Sequence, residues 1–281
     1  MLLYHYTDQK GFMDIVGNSE LSATAIQYLD DTHSYYSVLD TVRDILSQKI
    51  DHEEDPDTEF RLTRFRENIN NINKINSCVC SLSEESDLSS QWQSYAPSPG
   101  GYSIGFNSTT LQELLKPQGF VLKPCIYDTD KQNELIVNTI DEAVLSFIRY
   151  KEPEPGVPEY GSASTDYFLK KLSGILPLIQ NSFSAEDKEW KIISEEGVSF
   201  ERLSFGTGPA SLIPFYRITL RKDYWMLIRK IIIGATPQPV HALNATRAFI
   251  SRQEIEASRI MAARDEEKSI FVTNSLLTSH R

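Results

Sequence analysis

Runs with the alternation of a β-strand stand at both ends of this chain, and long helical patterns lie between them. That order is what most restricts the fold. The first run, "LYHYT" (3–7), is rich in the aromatic and β-branched residues that suit a pleated, half-buried surface. Its period of two puts His5 and Thr7 on one face and Tyr4 and Tyr6 on the other. Further strand-like runs are "LSATAI" (21–26), "INSCVCSLS" (75–83), "YSIGF" (102–106) and "FVLKPCIYD" (120–128). A second group follows at 189–194, 200–206, 213–220 and 230–235, and a last one lies near "SIFVTNSLL" (269–277).

Helical spacing fills the intervals. In "DQKGFMDIVGNSEL", Phe12, Ile15 and Val16 share a face, and Gly17-Asn18 supply a stop. The stretches 35–50 and 59–72 are amphipathic and charged. The acidic, proline-containing break "DHEEDPDTE" between them reads as a solvated loop. "DLSSQWQSYA" (87–96) reads as a short helix with Leu88, Trp92 and Tyr95 on one face, and "TLQELLK" as another. Residues 131–182 are mostly helical around a proline-rich loop at 151–164, and 245–267 form a late helix. Strands at both ends with helices inserted imply one α+β domain over 1–281, with helical insertions near 30–75 and 131–182.

Several function classes fall away. No apolar run reaches the roughly 18 residues of a bilayer span, and the N-terminus lacks a signal-peptide pattern, so a cytoplasmic protein is expected. Three cysteines, Cys78, Cys80 and Cys125, do not make a disulfide framework, and with no second ligand pair no metal is expected. The formal net charge of −11 opposes non-specific binding to a phosphate backbone. The stretch 216–234 carries five basic residues against one acid, and reads as a strand and turn with a solvated basic face. "GTGP" (206–209) lacks the strand–glycine loop–helix context of a dinucleotide fold, and no nucleophile elbow or HExxH is present.

Three polar segments remain as candidate chemistry: His5-Tyr6-Thr7; Ser81 and Ser83 ending a strand, with Trp92 and Tyr95 on the following helix; and Asp187 and Glu189, two apart at the start of a strand. Histidine and serine can bond sugar hydroxyls, and an aromatic ring can stack on a planar base. A carboxylate stabilises positive charge that develops on a sugar. Glu186 is the rival carboxylate.

The order His, Ser, Tyr, Glu on strand, strand end, helix and strand resembles the ADP-ribosyltransferase superfamily in its histidine–tyrosine–glutamate type. The chain also resembles a bacterial family of unknown function, domain family 2971, itself similar to that superfamily. The runs that carry this are "LYHYT", "LDD" (29–31), "CSLSEESDLSSQWQSYA", "GYSIGF", "DKEWKII", "LIPFYRITL", "KIIIGA" and "SLLTSHR".

The resemblance implies a split, mostly antiparallel sheet that clamps NAD as co-substrate. It implies His5 on the adenosine ribose, the Tyr6 backbone on the nicotinamide amide, with Thr7 beside them, and Ser83 near the nicotinamide ribose, with Ser81 on the same strand end among the cofactor-binding candidates. It further implies Tyr95 stacked on nicotinamide with Trp92 as wall, Glu189 as the catalytic carboxylate, and Asp187 orienting the acceptor. The chain departs from that family at Leu82, Lys191, Asp30, Asp31, Ser34 and Ser279-His280-Arg281.

The implied activity is transfer of ADP-ribose to a macromolecular acceptor, protein or nucleic acid, as in bacterial toxins and anti-phage effectors, with room for a neutralising or regulatory partner. An NAD glycohydrolase using the same site, or a non-catalytic binding module of the same fold, are the alternatives.

Overall fold

A computed structural model describes residues 1–29, 32–96, 99–148, 160–208, 210–220, 227–260 and 270–277. Asp30, Asp31, most of the loop at 151–164, the middle of the basic stretch at 221–226, the end of the late helix and Ser279-His280-Arg281 lie outside the described residues.

The opening run forms β1 (Leu2–Thr7), and Asp8 then caps α1 (Gln9–Gly17) by accepting from the Gly11 N–H. α1 buries Phe12, Ile15 and Val16, the face its spacing predicts. Ser19, at φ 57°, turns the chain into β2 (Glu20–Ala25). α2 (Thr32–Asp51) and α3 (Pro56–Asn68) follow, and the break between them holds because Asp55 caps α3 with Pro56 in its first turn. Next come β3 (Cys78–Ser83), α4 (Ser89–Tyr95), β4 (Tyr102–Asn107), α5 (Ser108–Leu115) and β5 (Phe120–Pro124). β5 is shorter than its apolar pattern, since Ile126 leaves the ladder for an isolated bridge to Ile179. α6 (Thr129–Ile148) and α7 (Tyr160–Ile175) form the second helical segment, so the end of the expected loop, from Tyr160, is helix.

β6 (Glu189–Ser194), β7 (Ser204–Thr207), β8 (Leu212–Thr219), β9 (Ile228–Ile233), α8 (Pro239–Ile260) and β10 (Phe271–Asn274) complete the order. The protein is α+β with an open sheet that is antiparallel except where β10 runs parallel to β9. One side of the sheet runs β10-β9-β4-β1, the other β3-β2-β8-β7, with β6 and β5 on the second edge of β3. β1 touches β3 in register only at Tyr4↔Ser83, and β2 pairs with β3 only at Val79 and Cys78. Among the described residues, the edge of β3 that faces β1 and β2 therefore has no strand partner between Cys80 and Leu82, and the sheet forks there.

Two apolar clusters hold this frame. One packs α1, α5 and α8 on the face of the sheet that carries Leu3, Cys80, Leu82 and Ile192. The other gathers α2, α3, α6 and α7 over Val79 and Ile193 on the opposite face, with Phe65 and Phe168 stacked 4.5 Å apart. The two helical segments thus pack on one another as well as on the sheet. They cover Val79 and Ile193 but stop short of the polar ends of β3 and β6, and this leaves a hollow above the fork. Among the described residues no helix is long and apolar enough to cross a membrane.

Candidate active site

The pairing of β3 with β6 sets the site. Ser83 lies opposite Glu189 and Ser81 opposite Lys191, so four polar side chains share the face whose other end is Val79 and Ile193. Three of them, Ser81, Glu189 and Lys191, front a cavity of about 650 Å³, of the size that takes small molecules. His5, Ser81, Tyr95, Asp187 and Glu189 all line it, as does Lys191.

Glu189 is buried, and both of its carboxylate oxygens are engaged. Oε1 accepts from the Tyr95 hydroxyl at 2.9 Å and Oε2 from Lys191 Nζ at 2.8 Å. Lys191 also donates to Ser81 Oγ at 2.8 Å, and the Tyr95 hydroxyl lies 3.0 Å from that same oxygen. The Tyr95 ring stays 37% exposed while its hydroxyl reaches into the network. Burial of the hydroxyl pushes the Tyr95 pKa up to about 12, with Lys191 pulling down and Glu189 pushing up. Burial alone would lower the Lys191 pKa. The charges of Tyr95 and Glu189 and the bond to Glu189 outweigh it, and the ammonium is held above its ordinary value.

His5 alternates onto the opposite face of β1 from Tyr6, yet reaches the cavity through the fork. Its Nδ1 lies 2.9 Å from the Ser81 carbonyl, which has no strand to pair with. A carbonyl only accepts, so Nδ1 carries the proton. Burial lowers the His5 pKa against the pull of that carbonyl, and the neutral ring then offers Nε2 as an acceptor. In this tautomer Nε2 accepts from a hydroxyl in the cavity rather than donating to one. Cys80 Sγ sits 3.5 Å from His5 Nδ1, but burial pushes its thiol up to about 12, so it is no thiolate.

Asp187 does not share a strand with Glu189, as its spacing had predicted. It ends a 3-10 turn (Ser182–Asp187), and Lys188, left-handed at φ 42°, separates it from β6. It reaches the same cavity nonetheless, with Oδ1 accepting from Ser90 Oγ at 2.6 Å. Glu186 is exposed on that turn and absent from the cavity lining.

The other expected site residues are not in the lining. Ser83 is fully buried, donating to the Asp187 carbonyl at 2.6 Å and accepting from the Glu85 N–H at 2.9 Å. Tyr6 donates to the Glu85 carbonyl, accepts from the Leu88 N–H, and meets Trp92 edge-on at 4.8 Å. Thr7 stands over α1, where its Oγ1 occupies the place a side chain at Gly11 would need. Trp92 donates its indole N–H to Asp87 at 2.7 Å. Ser83, Tyr6 and Trp92 hold the 84–88 loop and α4 in place, and Tyr95 with them.

Sequence reasoning noted Lys191 only as a departure, and missed Tyr127, whose hydroxyl accepts from the Glu189 N–H at 2.8 Å. The two-residue spacing of Glu189 and Lys191 on a strand was the available signal for the ion pair. Nothing local marks Tyr127. Among the described residues no three His, Cys, Asp or Glu side chains gather as ligands for a metal ion.

Fold and site together define an α+β protein with a forked antiparallel sheet and a buried carboxylate network at the fork. A family model described as "Protein of unknown function (DUF2971)" matches residues 91–155, from α4 with Tyr95 through β4, α5, β5 and α6, and supports kinship with that family over this stretch. The strands bearing His5, Ser81 and Glu189 lie outside the matched residues. No curated protein and no solved structure matches the chain.

Proposed function

We propose that the protein is an NAD-dependent ADP-ribosyltransferase, a divergent member of that superfamily, which transfers ADP-ribose to a macromolecular acceptor. The observation that carries this reading is the placement of Glu189 and Tyr95, with His5 and Ser81, in one cavity at the fork of the sheet. NAD would lie across the fork, with His5 Nε2 accepting from a ribose hydroxyl and the half-exposed Tyr95 ring against the nicotinamide. The glycosidic bond breaks with its electron pair leaving on nicotinamide. Positive charge then grows on the ribose, where the Glu189 carboxylate stabilises it. An acceptor nucleophile bonds to the anomeric carbon and loses its proton, for which Asp187 keeps unused lone pairs. Water in place of the acceptor would make the same site an NAD glycohydrolase.

One observation favours a second reading, a binding module of the same fold. Both oxygens of Glu189 are already engaged, and Lys191, its partner, is the one cation among the described residues lining the cavity. For turnover, substrate hydroxyls must replace one of those bonds.

Labelled NAD separates the readings. Nicotinamide release is expected from the wild type. Glu189→Gln, which keeps shape but deletes charge, is expected to cut it by about 10²–10³-fold with NAD affinity nearly intact. Label entering protein or nucleic acid in a bacterial lysate identifies the acceptor class, and label found only as free ADP-ribose means hydrolysis. Binding without nicotinamide release supports the module, and no binding refutes all three.

A further inference from the structure

A second hollow, open to solvent on one side, lies between the two helical segments next to the first. α2 contributes Ser37 and Thr41, α6 contributes Thr129, Gln132 and Asn133, and residues 179–182 close it. Its volume is about 410 Å³, within the range of small-molecule sites. Val38, Ile179 and Gln180 line both cavities. Tyr127 lines the second, and its hydroxyl accepts the backbone N–H of Glu189. The hollow therefore lies against the back of the residue that the first cavity presents.

Its chemistry differs from that of its neighbour. Among the described residues no charged side chain lines it. The walls are hydroxyls and carboxamides, with Val38, Ile136 and Ile179 as the apolar part. Backbone bonds fix what several of these groups can offer. Gln132 gives its amide hydrogens to the carbonyls of Ile126 and Gln180, at 2.6 and 2.7 Å, and its Oε1 takes no hydrogen bond among the described residues. Asn181 Oδ1 accepts from the Phe183 N–H at 3.0 Å, which leaves its amide as a donor.

We propose that this hollow is a second binding site, for an uncharged, multiply hydrogen-bonding group of nucleoside or monosaccharide size. A phosphate or carboxylate entering it would give up water for a wall without a cation. The net charge of −11 adds to that exclusion. An uncharged nucleobase or sugar meets fixed donors and acceptors, since carboxamides pair with base edges and with hydroxyls alike. The inference does not depend on the NAD reading, because different residues and a different readout test it.

The test uses the ¹⁵N-labelled full chain, whose side-chain amide signals report on Gln132 and Asn133, the latter assigned through loss of its signal in Asn133→Asp. Adenosine, guanosine, cytidine, thymidine, their 5′-monophosphates, glucose and galactose are titrated separately. Saturable shifts of these amides with a nucleoside or a sugar are expected, and which arm responds identifies the ligand class. The monophosphates are expected to bind no tighter than their nucleosides. Asn133→Leu is expected to weaken binding tenfold or more, with Thr41→Leu as a second variant should the first unfold. No saturable shift from any probe, tenfold tighter binding of a monophosphate, or binding that Tyr95→Ala abolishes while Asn133→Leu and Thr41→Leu leave it unchanged would each overturn the proposal.

Discussion

Replacing Lys191 by methionine removes one partner of a buried ion pair and keeps most of the side-chain volume. The exposures of the two side chains are 6% for Lys191 and 7% for Glu189. The variant loses the 2.8 Å contact to Glu189 Oε2 and the 2.8 Å bond to Ser81. The carboxylate keeps Tyr95 on Oε1 but has no counter-charge, a condition that costs about 3–5 kcal/mol in buried pairs. The cavity gives water some access to Glu189, so the lower end, about 3 kcal/mol, is expected. For a chain of this length that is a fall of about 5 °C in melting temperature. The exposed pair Lys10–Asp14, with lysine 83% exposed, is the internal control, and Lys10→Met is expected to cost at most about 0.5 kcal/mol. The double variant Lys191→Met with Glu189→Gln leaves no unpaired charge and is expected to recover much of the loss, since the strength of such a pair lies mainly in the cost of breaking it. Urea denaturation of the four proteins at pH 7 measures this. A Lys191→Met deficit no larger than that of Lys10→Met, or a double variant less stable than Lys191→Met alone, would refute the electrostatic argument.

Other outcomes follow from the same geometry. The lowered pKa of His5 means that the unfolded chain takes up a proton near pH 6.5 before the folded chain does. Stability is therefore full above pH 6.5 and declines as pH falls toward the folded value, and His5→Asn is expected to flatten this part of the pH–stability curve measured by denaturation. Asp87 accepts from Trp92, Ser275 and the Leu276 N–H, and so fastens the C-terminal segment to α4. Asp87→Asn is expected to cost about 1–2 kcal/mol and to speed proteolysis at 275–277, as followed by mass spectrometry. Phe65→Ala removes the fully buried ring stacked on Phe168 and is expected to cost about 3–5 kcal/mol in urea denaturation.

Much of the secondary structure was legible in the chain because its signals are local. Phe12, Ile15 and Val16 repeat at helical spacing and form the buried face of α1, and alternation in "INSCVCSLS" and "EWKIIS" marks β3 and β6. Residue types on three strands and the short helix α4 also placed His5, Ser81, Tyr95 and Glu189 among the candidates, and these four meet in one cavity. Only the tertiary structure decided which polar groups serve the cavity and which serve the frame. Ser83 faces Glu189 across the ladder, yet its hydroxyl is spent on the Asp187 carbonyl, and the Trp92 indole is spent on Asp87. The register of β3 on β6 brought Lys191 to Ser81, residues 110 apart in sequence, and a single left-handed residue, Lys188, took Asp187 off the strand. The second hollow exists only because α2, α6 and residues 179–182 converge. Periodicity reports which face of an element is apolar, whereas such meetings depend on how distant elements are registered and packed, and no short window of sequence contains that information.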